Sequence, residues 1–239
     1  MTVDQLCRWH VSKDGEDFRR RALDDILSVA EEAIRARGHF DFVLAGGSTP
    51  RTIYESLCRF SADWKNWHIY FGDERCLPDE NAERNSRMAG IALLNHVPIP
   101  AANIHAINAG AGPQFAAAAY ARDLQGVGDF DLVLLGLGED GHTASLFPGN
   151  DWGTGECSAD VLPVCNAPKP PAHRVSLSAA RLSRARKVLF LVEGASKRRA
   201  LGNWFSGHAI PASAVCPTVG VDVLIHMDPA DLPFGMMKQ

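Results

Sequence analysis

Residues 40–57 read FDFVLAGGSTPRTIYESL. The apolar run at 40–45 reads as a buried strand, Gly46-Gly47-Ser48-Thr49 as a turn, and 50–57 as a helix with proline in its first turn. The unit recurs along the chain. Upstream, residues 16–37 place Phe18, Ala22, Ile26, Ala30, Ala33 and Ile34 on one helical face, which Gly38 ends. Downstream, strands are expected at 67–71, 103–107 (short), 130–135, 174–177, 187–192 and 221–225. Helices are expected at 82–94, 114–124, 179–185 and 196–205, and the Pro/Gly-rich stretch 148–171 reads as irregular. Continuous apolar strands alternating with helices predict an α/β fold, a Rossmann-like and mainly parallel sheet flanked by helices on both faces. No linker divides the chain, so residues 1–239 read as a single domain.

Composition excludes several classes. The chain is 46% hydrophobic and 22% charged with a formal net charge of −4, so it lacks the global basic footprint of a nucleic-acid binder. No apolar run approaches the roughly 18 to 20 residues that span a bilayer, and residues 1–10 lack the apolar core of a secretory signal. Six scattered cysteines without a C-x-x-C pair predict free thiols, no metal site and a cytoplasmic setting. The charge is uneven. Residues 169–200 hold nine basic side chains against the single acid Glu193, a cluster suited to a small anion or to a solvated helix face.

Three loops leave carboxyl ends of strands, where open α/β sheets bind ligands. In Gly46-Gly47-Ser48-Thr49-Pro50 the glycines admit a ligand to the backbone, and helix-start N–H groups favour phosphate. The hydroxyl of Ser48 or Thr49 equally suits a plain helix cap. The loop lacks the Gly-Lys-Ser/Thr ending of a Walker A motif. Phe71-Gly-Asp73-Glu74-Arg75 clusters charge directly after an apolar strand, where it is solvated, paired or bound to ligand. Gly136-Leu-Gly138-Glu139-Asp140-Gly141-His142-Thr143 contains a formal G-x-G-x-x-G. Pro148 and Gly149 leave no room for the helix of a dinucleotide fingerprint, and two acids stand where its pyrophosphate would lie. What remains is a histidine beside a carboxylate at the mouth of the sheet, a pattern suited to a catalytic base. In the basic segment, Arg174 and Lys197 are placed to reach the crevice.

These motifs, with Phe71-Gly-Asp-Glu-Arg75, Gly136-Leu-Gly-Glu-Asp-Gly-His-Thr-Ala-Ser-Leu-Phe-Pro148 and Arg174-Val-Ser-Leu-Ser178, resemble the 6-phosphogluconolactonase family in order and spacing from Phe40 to about Phe205. The resemblance implies the fold shared by glucosamine-6-phosphate deaminases and ribose-5-phosphate isomerases. It implies hydrolysis of 6-phospho-D-glucono-1,5-lactone, the second step of the oxidative pentose phosphate pathway, without metal or cofactor. It makes His142 the base that activates water, with Asp73 or Asp140 orienting the imidazole or holding sugar hydroxyls. It places the phosphate against Gly46, Gly47, Ser48 and Thr49, with Arg75, Arg174 and Lys197 as cations. The related deaminases carry a glutamate where this chain has Phe147. A deaminase or isomerase of the same fold and a non-catalytic sugar-phosphate sensor are the competing readings. The expected partner is the small-molecule lactone alone, with neither nucleic acid nor membrane, in a monomer or weak homo-oligomer.

Overall fold

The computed structural model describes residues 5–155 and 157–236, so the ends of the domain expected over 1–239 lie outside it. In chain order the elements are β1 (Cys7–Val11), α1 (Gly15–Arg37), β2 (Phe40–Leu44), α2 (Ser48–Leu57), β3 (Trp67–Phe71), β4 (Asp73–Arg75), α3 (Asn85–Ala89), α4 (Pro113–Asp123), β5 (Leu132–Gly136), β6 (Val161–Val164), β7 (Arg174–Leu177), α5 (Ala179–Ser183), β8 (Val188–Glu193), α6 (Arg198–Phe205) and β9 (Val221–His226). Six strands form one sheet in the order β1-β9-β8-β5-β2-β3, with every neighbouring pair parallel. The order reverses at β2, because β3 joins it on one side and β5, β8 and β9 follow on the other. The carboxyl ends of β2 and β5 therefore flank the crevice where such sheets bind ligands.

The elements form for local reasons. All five residues of β2 are buried, as a strand covered on both faces requires. Helix α1 starts where the Asp14 carboxylate accepts from the Asp17 N–H at 2.8 Å and stops at Gly38, whose N–H donates to Ile34 O at 2.8 Å. Phe18, Ala22, Ile26, Ala30 and Ala33 are buried along it, and the helix packs on α2, β2 and β9.

Several expectations need correction. Residues 174–177 are a strand, but β7 lies outside the parallel sheet, pairing antiparallel with β4 and β6 in a separate three-stranded sheet. Asp73-Glu74-Arg75, read as a loop, is therefore a strand, and the irregular stretch 148–171 contains β6. The edge strand β1 was invisible as an apolar run because Arg8 and His10 interrupt it. Residues 103–107 supply one parallel bridge, Ile69 to Ile104, after a 3-10 turn at Ala101–Asn103. The helix expected at 82–94 begins only at Asn85 and ends in a π-helical turn, Gly90–Leu94. Helix α5 ends at Ser183, and a 3-10 turn at Ala195–Lys197 leads into α6.

The late start of α3 has a physical cause. Glu74 is fully buried, and its carboxylate accepts from the N–H groups of Asn85 (2.7 Å), Ser86 (2.8 Å) and Arg75 (2.8 Å) and from the Ser86 hydroxyl (2.6 Å). Buried Arg84 stands 3.4 Å away. A charge from β4 thus occupies the N-terminus of α3, supplying its missing acceptors. Replacement by Glu74→Ala leaves the N–H groups at the start of α3 unmatched and takes from buried Arg84 one of its two carboxylates, the other being Asp79. It is expected to lower unfolding free energy by about 3 kcal/mol in denaturant melts; a loss under about 1 kcal/mol would show that these groups find other partners.

Candidate functional site

At the end of β5 the chain doubles back. Thr143 Oγ1 donates to Gly136 O at 2.9 Å, the Gly138 N–H to His142 O at 2.7 Å, and the Gly141 N–H to Gly138 O at 3.0 Å. This turn carries the Asp140 carboxylate onto Nδ1 of His142 and within 3.2 Å of the His142 N–H. The imidazole lies flush on Gly138, where a Cβ would come 2.0 Å from Nδ1. On its other side the ring stands 4.8 Å from that of buried Phe147. No helix follows the loop, only a bridge between Thr143 and Leu146 with Ala144 at φ 47°, so the rejection of a dinucleotide fingerprint stands.

The protonation state follows from these contacts. Burial lowers the pKa of His142 below its ordinary 6.5 against the opposing pull of Asp140. Burial alone would raise Asp140, but hydrogen bonds from His142 outweigh it and hold the carboxyl below its usual range. An ionised carboxylate only accepts, so Nδ1 carries the proton and Nε2 keeps its lone pair. Nε2 makes no hydrogen bond among the described residues, and His142 lines the cleft.

Asp73 is placed differently. It is buried, its Oδ1 accepts from Asn85 Nδ2 at 2.9 Å, and its Oδ2 accepts from the Ser145 hydroxyl at 2.6 Å. Of the two candidate carboxylates, Asp140 touches the imidazole while Asp73 acts on it only through its field. Asn85 was missed by sequence reasoning, since nothing distinguishes it from the other polar residues around the start of α3. Its amide lies flat on Gly46, where a Cβ would fall 2.0 Å from Oδ1.

The glycine loop is pinned by Tyr54, whose buried hydroxyl accepts from the Ala45 N–H at 2.9 Å and donates to Ala45 O at 3.0 Å. Gly47 is the N-cap of α2, so neither Ser48 nor Thr49 caps the helix and its first N–H groups stay available. The Thr49 hydroxyl instead donates to Glu193 Oε2 at 2.9 Å.

Gly46, Gly47, Asp73, Arg75, His142, Arg174 and Lys197 converge on one cleft of about 190 Å³; Ser48, Thr49 and Asp140 do not line it. Lys197 forms no ion pair among the described residues, and burial lowers its pKa against the pull of Glu139. Arg75 donates to Glu83 O and keeps a buried Nε without a partner. Arg174 spends Nε on Pro171 O (3.0 Å) and Nη2 on Lys169 O (3.1 Å) and Pro170 O (3.0 Å). Lys169 also lines the cleft, and the proline-rich, irregular reading of its segment hid it. Among the described residues no three His, Cys, Asp or Glu side chains converge as metal ligands, and no helix is long and apolar enough to cross a membrane.

Comparison with known proteins gives the family and the fold. Residues 13–224 match the family described as glucosamine-6-phosphate isomerases/6-phosphogluconolactonase. A 6-phosphogluconolactonase of Synechocystis is 40% identical over 200 residues, covering 80% of this chain and 82% of the relative. One from Mycobacterium leprae is 33% identical over 214 residues, covering 84% and 86%. The crystal structure of 6-phosphogluconolactonase from Thermotoga maritima superposes with a TM-score of 0.84 at 28% identity, covering 93% of this chain and 100% of that one. The chain belongs to the glucosamine-6-phosphate isomerase/6-phosphogluconolactonase family.

Proposed function

We propose that the cleft hydrolyses 6-phospho-D-glucono-1,5-lactone to 6-phospho-D-gluconate, with His142 as the base and no metal. The observation that carries this reading is the imidazole whose Nδ1 is committed to Asp140, leaving the Nε2 lone pair for the cleft. Water attacks C1 of the lactone as its proton passes to Nε2. The tetrahedral intermediate then collapses, the bond from C1 to the ring oxygen breaks, and the imidazolium returns a proton to that oxygen. A δ-lactone is already an activated ester, so one base and good positioning meet the need without a covalent nucleophile. The phosphate rests against Gly46 and Gly47 at the uncapped start of α2, with Arg75 and Lys197 as cations. Asp73 retains acceptor capacity for sugar hydroxyls. Phe147 disfavours the deaminase reading, because a buried phenyl ring against the imidazole neither donates nor accepts a proton.

The direct test is a coupled assay on lactone generated in place from glucose 6-phosphate, corrected for spontaneous hydrolysis. His142→Asn is expected to lower kcat by about a hundredfold or more while product still binds; near wild-type turnover would refute the base. The basic form of His142 is populated as pH rises through a pKa held below 6.5, so the acid limb of kcat/KM should fall on the acid side of that value. An acid limb above 6.5 would contradict the buried, neutral imidazole.

Lys197→Met is expected to raise KM for the phosphorylated lactone about tenfold or more and to leave unphosphorylated gluconolactone unchanged. Equal losses on both substrates would remove Lys197 from the phosphate site. Prolonged chelation should not change the rate, and a loss restored by added metal would overturn the metal-free mechanism.

A further inference from the structure

Hydrolysis creates negative charge twice at the same carbon, first on the oxygen of the tetrahedral intermediate and then on the product carboxylate. The groups so far assigned to cations serve the other end of the substrate. We propose that Lys169 takes up the charge formed at C1, and that Arg174 is a positioning residue that acts by fixing the backbone of residues 169–171. The proposal rests on the lactonase reading of the cleft.

The geometry is that of a clamp. Three consecutive carbonyl groups, those of Lys169, Pro170 and Pro171, accept from the Nε and Nη2 of Arg174 at 3.0 to 3.1 Å. Only Nη1 remains for anything else, so Arg174 does not present the two-pronged fork that phosphate favours. Its guanidinium lies 5.4 Å over the Phe147 ring, which stands 4.8 Å from that of His142. The clamp and the base thus rest on the same buried phenyl ring, which sets the 169–171 wall against the imidazole. The side chain of Lys169 is exposed, forms no ion pair among the described residues, and lines both the cleft and a neighbouring cavity of about 380 Å³. Its charge reaches His142, whose pKa it helps to lower. Because the clamp sets the 169–171 wall against the imidazole through Phe147, Lys169 is the cleft cation carried on the wall that faces the base.

Binding measurements on Lys169→Met test this without turnover. Calorimetry would compare 6-phosphogluconate, which carries a carboxylate at C1, with glucitol 6-phosphate, which has an alcohol there. The variant should bind the first about tenfold more weakly and the second unchanged. In the assay, kcat should fall by the same factor on phosphorylated and unphosphorylated lactone, the acid limb should move to higher pH, and Lys169→Arg should restore most of the rate. Arg174→Met should give the same pattern and add little to Lys169→Met. Equal weakening of both ligands, weakening of neither, or a loss confined to phosphorylated substrate would overturn the assignment. A wild-type protein that binds 6-phosphogluconate but hydrolyses no lactone would refute the proposed function, and the two-ligand comparison would still decide the role of Lys169.

Discussion

The parallel ladder between β2 and β5 is short, and the site depends on that shortness. The two strands pair only at Phe42 with Leu132 and Val43 with Val133, whereas β2 and β3 stay paired from Phe40 with Trp67 to Leu44 with Phe71. Beyond Val43 and Val133 the neighbours at the reversal of strand order separate, and a crevice opens between their carboxyl ends. Backbone groups released there need other partners. Tyr54 serves both polar groups of Ala45, and Thr143 serves Gly136 O. Each of these bonds also fixes a functional loop, so satisfying the sheet and building the site are the same event.

Charge is organised around this crevice by subtraction. Most of the basic segment is neutralised by acids from elsewhere in the chain. Arg184 and Arg181 reach Asp160, Arg186 reaches buried Asp131, Lys187 pairs with Asp25, and Arg198 with Asp231. The exposed pairs contribute little to stability, about 0 to 1 kcal/mol each, but they cancel the field of the segment away from the cleft. Arg181 is fully buried, packs its guanidinium 3.7 Å over the Phe130 ring and has its pKa lowered to about 10 by desolvation. Lys169 and Lys197, both lining the cleft, are left without ion pairs among the described residues. A local excess of nine basic residues over one acid therefore overstates the positive charge a ligand meets.

Legibility followed the same division. Elements defined by apolar runs or helical periodicity, such as β2, β5 and α1, could be read because burial on the parallel sheet imposes those patterns. Of the small antiparallel sheet only β7 could be read as a strand, since β4 is Asp-Glu-Arg and its stability comes from Glu74 meeting the N-terminus of α3, a long-range match with no local signature. The three site loops could be found because glycine, histidine and acid cluster after strands. Which carboxylate touches the imidazole could not be found, because both lie near it in the field and only the turn at Gly138–Gly141 brings Asp140 onto Nδ1. Asn85 and Lys169 were hidden for the same reason, as each reaches the cleft through a tertiary contact.

The Thr49 hydroxyl shows how a chain of net charge −4 suits an anion at the start of α2. Its proton is directed to Glu193 at 2.9 Å, and Glu193 stands 3.2 Å from Nδ1 of His226 at the end of β9. A threonine oriented in this way turns a lone pair, not a proton, toward any neighbour at the helix start, and it brings a carboxylate close behind the loop. Attraction for a phosphate must then come from N–H groups that no side chain caps and from cations on other elements. Those N–H groups hold their positions because Tyr54 pins the loop, whereas Lys197 and Arg75 approach from the 3-10 turn before α6 and from β4. In the proposed reading, dipoles fixed by the parallel sheet would locate the phosphate, and charges from the flanking elements would supply its affinity. In the same reading the Glu193 carboxylate, held between Thr49 and His226, would oppose that affinity and so favour release of a product carrying one more negative charge than the substrate.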